Sequence, residues 1–177
     1  PRHRKAMFPV DATDLPERSL LRRYRESGDY TDCYVVDIDR MVSHAEYVRA
    51  FYTTLPFKTE RLILKWVVSK PSTDEDASLL AEGKADRFAA WYVEAKEGQQ
   101  LLLSDFRERT RSWLMTEASN GSTRLYFGSA VVKERDPETQ ERRMGKSFGL
   151  LLGFHRLYSR VLLSSARRRL LRTSRAA

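Results

Sequence analysis

Hydrophobic and polar positions change their spacing twice along this chain. The first stretch with strand character is "YTDCYVVDID", rich in β-branched and aromatic residues from Thr31 to Ile38. A helical spacing follows. Ser43 stands three residues before Glu46, the capping-box interval in which each side chain satisfies the other's free backbone donor. Val48, Phe51 and Tyr52 then share one face, and Pro56 stops the predicted helix near Thr54. "LILKWVV", within residues 61–68, fits a helix or a strand by its spacing, and Pro71 ends it in either case. Ser72 and Glu75 repeat the capping-box interval, and Gly83 sits where a left-handed C-cap falls, which predicts a short helix between them.

From Phe88 the period becomes two. "FAAWYVEAKEGQQLLLSD" reads as two strands about a tight Glu97-Gly98 turn, and "RTRSWLMTEASNGSTRLYFGSAVVKE" as two more about Asn120-Gly121, the strongest short hairpin signal. "RDPETQERRMGKS" is a polar loop. The closing stretch "SFGLLLGFHRLYSRVLLSSARRRLLRTSRAA" predicts a helix from about Ser147 to Arg172, roughly 39 Å long at 1.5 Å per residue. On a helical wheel Leu150, Phe154, Leu157, Tyr158 and Val161 fall within about 100° of one another, opposite Arg156, Arg160 and Arg167. A sheet that must bury one face finds its cover in such a helix, so the predicted class is α+β, a curved antiparallel sheet wrapped around a long C-terminal helix. Upstream, "DLPERSLLRRY" offers Asp14 as a cap and Pro16 in the first turn of a short helix. Residues 1–29 therefore read as a tail with that helix, 30–172 as one domain, and 173–177 as a disordered basic tail.

A chain of 177 residues is the size of one domain, and 41% hydrophobic residues with 11% aromatics exclude a wholly disordered one. Cys33 has no partner for an intrachain disulfide, and Asp11 and Asp14 interrupt the basic N-terminus before an apolar signal segment can form. Cytoplasmic localisation is the expectation. The formal charge of +8 is uneven: residues 142–177 hold ten Lys and Arg and no acid, while the remainder is net acidic. That raises a weak, non-specific contact with a polyanion through the C-terminal Arg cluster, although cations near a helix C-terminus also suit the helix dipole.

Several chemistries find no support. Arg156 and Arg160 interrupt "FGLLLGF", so the last helix cannot span a membrane. Gly149 and Gly153 read as close packing. "GKS" at 145–147 lacks the P-loop's first glycine, since Gln140 stands in its place. His3, His44 and His155 have no second ligand at metal spacing, so no metal is expected, nor any cofactor. No nucleophile elbow or triad is readable, Cys33 reads as a small core residue, and no catalytic residue is assigned. Glu134, Asp136, Glu138 and Glu141 alternate with Arg in a solvated loop. The aromatics are more informative. Strand parity assigns Trp91, Val93, Trp113, Met115, Leu125 and Phe127 to the side facing the last helix, where with Phe154 and Tyr158 they could line an apolar cavity. Asp105, Arg109 and Arg111 flank that sheet and could orient a polar head group.

The order of strand, helices, antiparallel meander and long final helix resembles the helix-grip fold of the START and polyketide-cyclase-like (SRPBCC) superfamily, over about Tyr30 to Leu170. Within it, "TRSWLMTE", "TRLYFGSAVV" and "GFHRLYSRVLLSSARRRL" look like the DUF2867 family of uncharacterised proteins. Five strands are legible here against the superfamily's usual seven. The resemblance implies a deep apolar cavity between sheet and final helix that takes lipids, polyketides, hormones or similar molecules, and it brings no catalytic residue. The expectation is a protein that binds a small hydrophobic molecule. The alternatives are a cyclase or isomerase using Asp105 or Tyr158 for proton transfer in the same cavity, and a basic module adsorbing to nucleic acid or anionic membrane.

Overall fold

The structure, a computed structural model, describes residues 10–54, 73–135, 142–143 and 148–173, and of 134–135, 142–143 and 148–155 the backbone alone. Its elements are β1 (Asp11–Ala12), α1 (Arg22–Glu26), β2 (Tyr30–Ile38), α2 (His44–Tyr52), α3 (Asp74–Ala81), β3 (Arg87–Phe88), β4 (Trp91–Glu97), β5 (Gln100–Asp105), β6 (Thr110–Ser119), β7 (Ser122–Val131), β8 (Glu134–Arg135), β9 (Arg142–Arg143) and α4 (Phe148–Thr173). Seven strands form one sheet in the order β1-β2-β7-β6-β5-β4-β3, with every neighbouring pair antiparallel, and β8 and β9 pair separately. This is the predicted α+β helix-grip class. The two sheet strands that the sequence did not reveal are the two-residue edges β1 and β3, too short to show any alternation.

Local chemistry sets the elements. Ser43 and Glu46 form the expected capping box at the start of α2. The second box lies one residue later than predicted, on Thr73 and Asp76: Asp76 N donates to Thr73 Oγ1 at 3.1 Å and Thr73 N to Asp76 Oδ2 at 2.7 Å. Asn120 and Gly121 both take positive φ, 41° and 84°, as a primed two-residue turn requires, so Ser119 faces Ser122 and the register of β6 on β7 follows. The "LILKWVV" segment, His3, "GKS" and residues 174–177 lie outside the described residues, as do the side chains of Leu150, Phe154 and His155.

The sheet is buried on both faces. On its inner face Tyr34, Val36, Ile38, Leu101, Leu103, Leu114, Leu125 and Phe127 pack against Tyr47, Val48, Phe51 and Tyr52 of α2, Leu80 of α3, and Leu162, Leu163, Ala166 and Leu170 of α4. The buried side of α4 therefore differs from the predicted stripe: Leu157 is 54% exposed, whereas Ser159, Leu162, Leu163, Ala166 and Leu170 are buried. Packing selects the small Ser159 and Ala166 because a helix lying close on a sheet needs small residues at its contact line.

The outer face corrects the expected domain boundary. Residues 10–29 are no tail: β1 pairs with the edge of β2, and Leu15 and Leu21 are buried with Cys33, Leu102, Trp113, Met115, Tyr126 and Ala130. The short helix is present, but as α1 over 22–26, downstream of the Asp14 and Pro16 signal. Gln100 stitches this cover down, accepting from Trp113 Nε1 at 2.9 Å and from Leu20 N at 3.1 Å while donating to Arg18 O at 2.9 Å. Gly128 is required beneath it, since a Cβ there would come within 2.8 Å of both Asp32 O and a Leu21 methyl.

Candidate functional site

The registers place the inner-face residues in rows that cross the sheet. At the end where β2 begins, one row runs Tyr30, Val131, Thr110, Asp105, Trp91, and every member is half-buried. The next row runs Asp32, Ser129, Ser112, Leu103, Val93, half-buried at its two edges and buried at its centre. The third row, Tyr34, Phe127, Leu114 and Leu101, is buried across these four strands and apolar apart from the Tyr34 hydroxyl, and it ends on β4 at the exposed Lys96. The inner face thus grades from a sealed apolar core under α2 to a band where aromatic, hydroxyl and carboxylate groups mix.

That band is organised. Asp32 Oδ1 accepts from Ser129 Oγ at 2.6 Å and from Ser129 N at 3.1 Å, a cross-strand pair that fixes the carboxylate. The hydroxyls of Tyr52, from the end of α2, and Ser112 lie 3.1 Å apart. Burial raises the Tyr30 hydroxyl's pKa, while the Arg156 guanidinium beside it pulls the other way. Burial likewise pushes Tyr34 up to about 12, with the Arg160 guanidinium 5.7 Å from its ring centre. Both phenols are neutral at physiological pH, the Tyr30 hydroxyl donates to Asp32 Oδ2 at 3.4 Å, and α4 brings two cations to the β2 side of the band.

A bulge in β4 decides what faces this site. Between Val93 and Ala95 the register against β5 shifts by one, so Ala95 and Glu94 go to the outer face while Val93 and Trp91 return to the inner one. Glu94 there pairs with Arg23 and Arg111 and accepts from the Tyr24 hydroxyl.

Of the residues singled out in the sequence, Trp91, Val93, Leu125, Phe127 and Tyr158 lie on the inner side. Trp113 and Met115 do not. The Asn-Gly turn puts Trp113 opposite Gly128 and Leu114 opposite Phe127, so Trp113 and Met115 belong to the outer core. Arg111 follows the same parity: it donates to the Tyr24 hydroxyl at 2.7 Å and pairs with Glu94, which fastens α1 to the outer face and orients nothing on the inner one. Asp105 Oδ1 accepts from Arg109 N at 2.7 Å and Thr110 N at 3.0 Å, so it caps the β5–β6 turn at the rim of the band. Arg109, exposed in that turn, accepts through its carbonyl from Val132 N at 2.8 Å. Asp32, Ser112, Ser129 and Tyr52 were missed. For Asp32 and Ser112 the signal is present in "TDCYVV" and "TRSWLMTE", where short polar side chains alternate with bulky ones, but the bulk on the other parity outweighs it.

Burial pushes the Cys33 thiol up to about 12, which leaves it a protonated core residue. Among the described residues no group of His, Cys, Asp and Glu could hold a metal ion, and no helix is long and apolar enough to cross a membrane. No protein-family profile matches the chain, and no curated protein does. A solved structure, TTHA0849 from Thermus thermophilus, aligns over 82% of this chain and 99% of its own, with 13% identity and a TM-score of 0.32, too low to bear on fold or function.

Proposed function

We propose that the protein binds a small, mostly hydrophobic molecule against the inner face of the sheet, at the band that includes Trp91, Val93 and Leu103, with Asp32, Ser112, Tyr30 and Tyr52 meeting its polar groups. The observation that carries this reading is the burial gradient along that face. Over β2, β7, β6 and β5, three rows of one sheet pass from sealed and apolar to half-buried and mixed, and binding sites combine an apolar lining with a few placed polar groups. The superfamily reading, START and polyketide-cyclase-like, is supported by the strand order and the long terminal helix; the DUF2867 resemblance rests on the quoted residues alone. Catalysis is no part of the proposal. Asp105, the candidate for proton transfer, already accepts two backbone N–H groups as a turn cap.

The test uses an uncharged apolar dye, Nile red, with the three tryptophans Trp66, Trp91 and Trp113 as reporters. Saturable binding should change tryptophan emission in the wild type and in Trp113→Phe, and the change should shrink strongly in Trp91→Phe. A dye response that survives Trp91→Phe and vanishes in Trp113→Phe would move the site to the outer face and end this reading.

A further inference from the structure

The helix α4 presents three sides. One is buried in the core. A second carries Arg156, Arg160 and Arg167 along β2, where Arg167 Nε donates to Asp37 O at 2.9 Å. The third bears Val161, Ser165, Arg168, Arg169 and Arg172, positions that recur at helical spacing on one flank. With Thr54 and Thr173 that flank lines a groove of about 870 Å³, nearly twice the volume of the next one described, about 440 Å³. It lies apart from the inner-face band of the proposed function, and none of the residues in that band lines it.

The groove concentrates charge of one sign. Arg168 and Arg172 are spaced i, i+4 and Arg169 and Arg172 i, i+3, arrangements in which like charges destabilise a helix. The negative end of the helix dipole relieves part of that repulsion. Arg169 uses one N–H on Thr53 O at 3.3 Å, and neither Arg168 nor Arg172 makes an ion pair among the described residues. Each guanidinium is a planar fork of five donors matched to phosphate or carboxylate oxygens. The hydroxyls of Thr54 and Thr173 are already committed, donating to Phe51 O at 2.9 Å and Arg169 O at 3.0 Å, so among the described lining residues the guanidiniums and the Ser165 hydroxyl are the side-chain donors the groove offers. Two turns back along the flank, Val161 supplies an apolar wall.

We infer that this groove is an anion site for a small organic phosphate, with the phosphoryl group held by Arg168 and Arg172 and a short apolar portion lying toward Val161. A concave site of this volume suits a compact ligand better than it suits a duplex or a lipid surface, each of which would meet the exposed Arg156 and Arg160 on the other flank equally well. The assignment is independent of the inner-face reading.

Calorimetry on the full chain with hexyl phosphate tests it, with hexanol and inorganic phosphate as partial ligands. One saturable site is expected, tighter for hexyl phosphate than for either part. Arg168→Gln with Arg172→Gln should weaken it at least about tenfold, as the loss of charge-assisted hydrogen bonds dictates. Arg156→Gln with Arg160→Gln removes the same charge from the other flank and should change it by less than about twofold. Arg168→Lys with Arg172→Lys keeps the charge and the helix while removing the forks, and should still lose most of the affinity. Equal weakening by the two Gln pairs, or no saturation by hexyl phosphate in the wild type, would overturn the site. So would tighter binding to DNA or to phosphatidic-acid vesicles that both Gln pairs abolish alike. Nile red binding should be indifferent to the Arg168 and Arg172 changes, which separates failure here from failure of the inner-face site.

Discussion

The two faces of the sheet are covered by different means. Regular helices cover the inner face, and their side chains make an apolar core with one polar band at its end. A largely irregular segment, residues 10–29 with the short β1 and α1, covers the outer face, and polar bonds hold it there: Gln100 to Leu20 and Arg18, Glu94 to Arg23 and Tyr24, Arg18 to Glu117 at 2.9 Å. The contrast shows what an irregular cover demands. A helix satisfies its own backbone and need only present apolar side chains, whereas an extended segment must find partners for its N–H and C=O groups on the surface it covers. Gln100, buried in β5, serves as that partner and holds Trp113 as well.

If the outer face is a second core and not a surface flap, truncating its largest buried side chain should be as damaging as a cavity in the inner one. Trp113→Ala is expected to cost about 3–5 kcal/mol and Leu163→Ala about 2–5 kcal/mol, read from denaturant midpoints. A loss below about 1 kcal/mol for Trp113→Ala would mean that residues 10–29 lift readily, and the comparison would fail.

The covers should also differ in their response to pH. His44 begins α2, is buried, and its Nε2 lies 3.4 Å from Leu114 O. Burial lowers its pKa from 6.5 to about 4, and the positive end of a helix dipole also disfavours a cation there. The unfolded chain therefore takes up a proton that the folded chain refuses. Stability conferred by this site is fully present above pH 6.5 and is lost as pH falls from there toward 4, by up to about 3 kcal/mol. His44→Gln should flatten that part of the stability profile. Residues 10–29 contain no histidine, so the outer cover should show no matching loss in the same interval. Hydrogen exchange at the Thr13 and Leu20 amides, compared with that at amides of α2, distinguishes the two.

A smaller effect probes the outer cover's polar seam. The Arg111 side chain is only 10% exposed and is paired with Glu94, whose own side chain is 22% exposed. Glu94→Gln keeps the shape but leaves the guanidinium without its counter-charge, at an expected cost of about 1–3 kcal/mol. Exchange should accelerate at Leu20 and Thr13 while the inner core holds. Uniform acceleration across both faces would show that the seam and the inner core open together.

The sequence made the class of fold legible because its strongest signals are local: a capping box, an Asn-Gly turn, two runs of period two and one long amphipathic end. What it hid was the face on which each strand residue falls. A strand buried on one side alternates visibly, but β6 reads Ser112-Trp113-Leu114-Met115-Thr116 and is buried throughout, so bulk gives no parity. The turn did hold the answer, since a two-residue hairpin fixes which residues face one another and thereby sends Trp113 and Met115 outward with Gly128 and Tyr126. The bulge at Glu94 had no such signature, because nothing in "WYVEAKE" announces an extra residue. The outer cover was hidden for a different reason: an irregular segment has no period, and only its contacts reveal that it is part of the domain.

The smallest expected effect falls on that turn. Asn120 sits at φ 41°, a conformation that asparagine tolerates and alanine resists, so Asn120→Ala should cost about 1 kcal/mol while Asn120→Gly should cost little. The two faces decide whether the cost stays small. A one-residue slip of β6 against β7 would bring Trp113 to the inner face and Leu114 to the outer, reversing every buried side chain on the strand at once. With both faces packed, that alternative is closed, and the strained turn should be borne in place. A loss near 1 kcal/mol with unchanged amide-exchange patterns on β6 would mean that the two cores hold the register and the turn follows. A loss several times larger, with Trp113 emission altered, would mean that the turn sets the register and that the division into two faces depends on it.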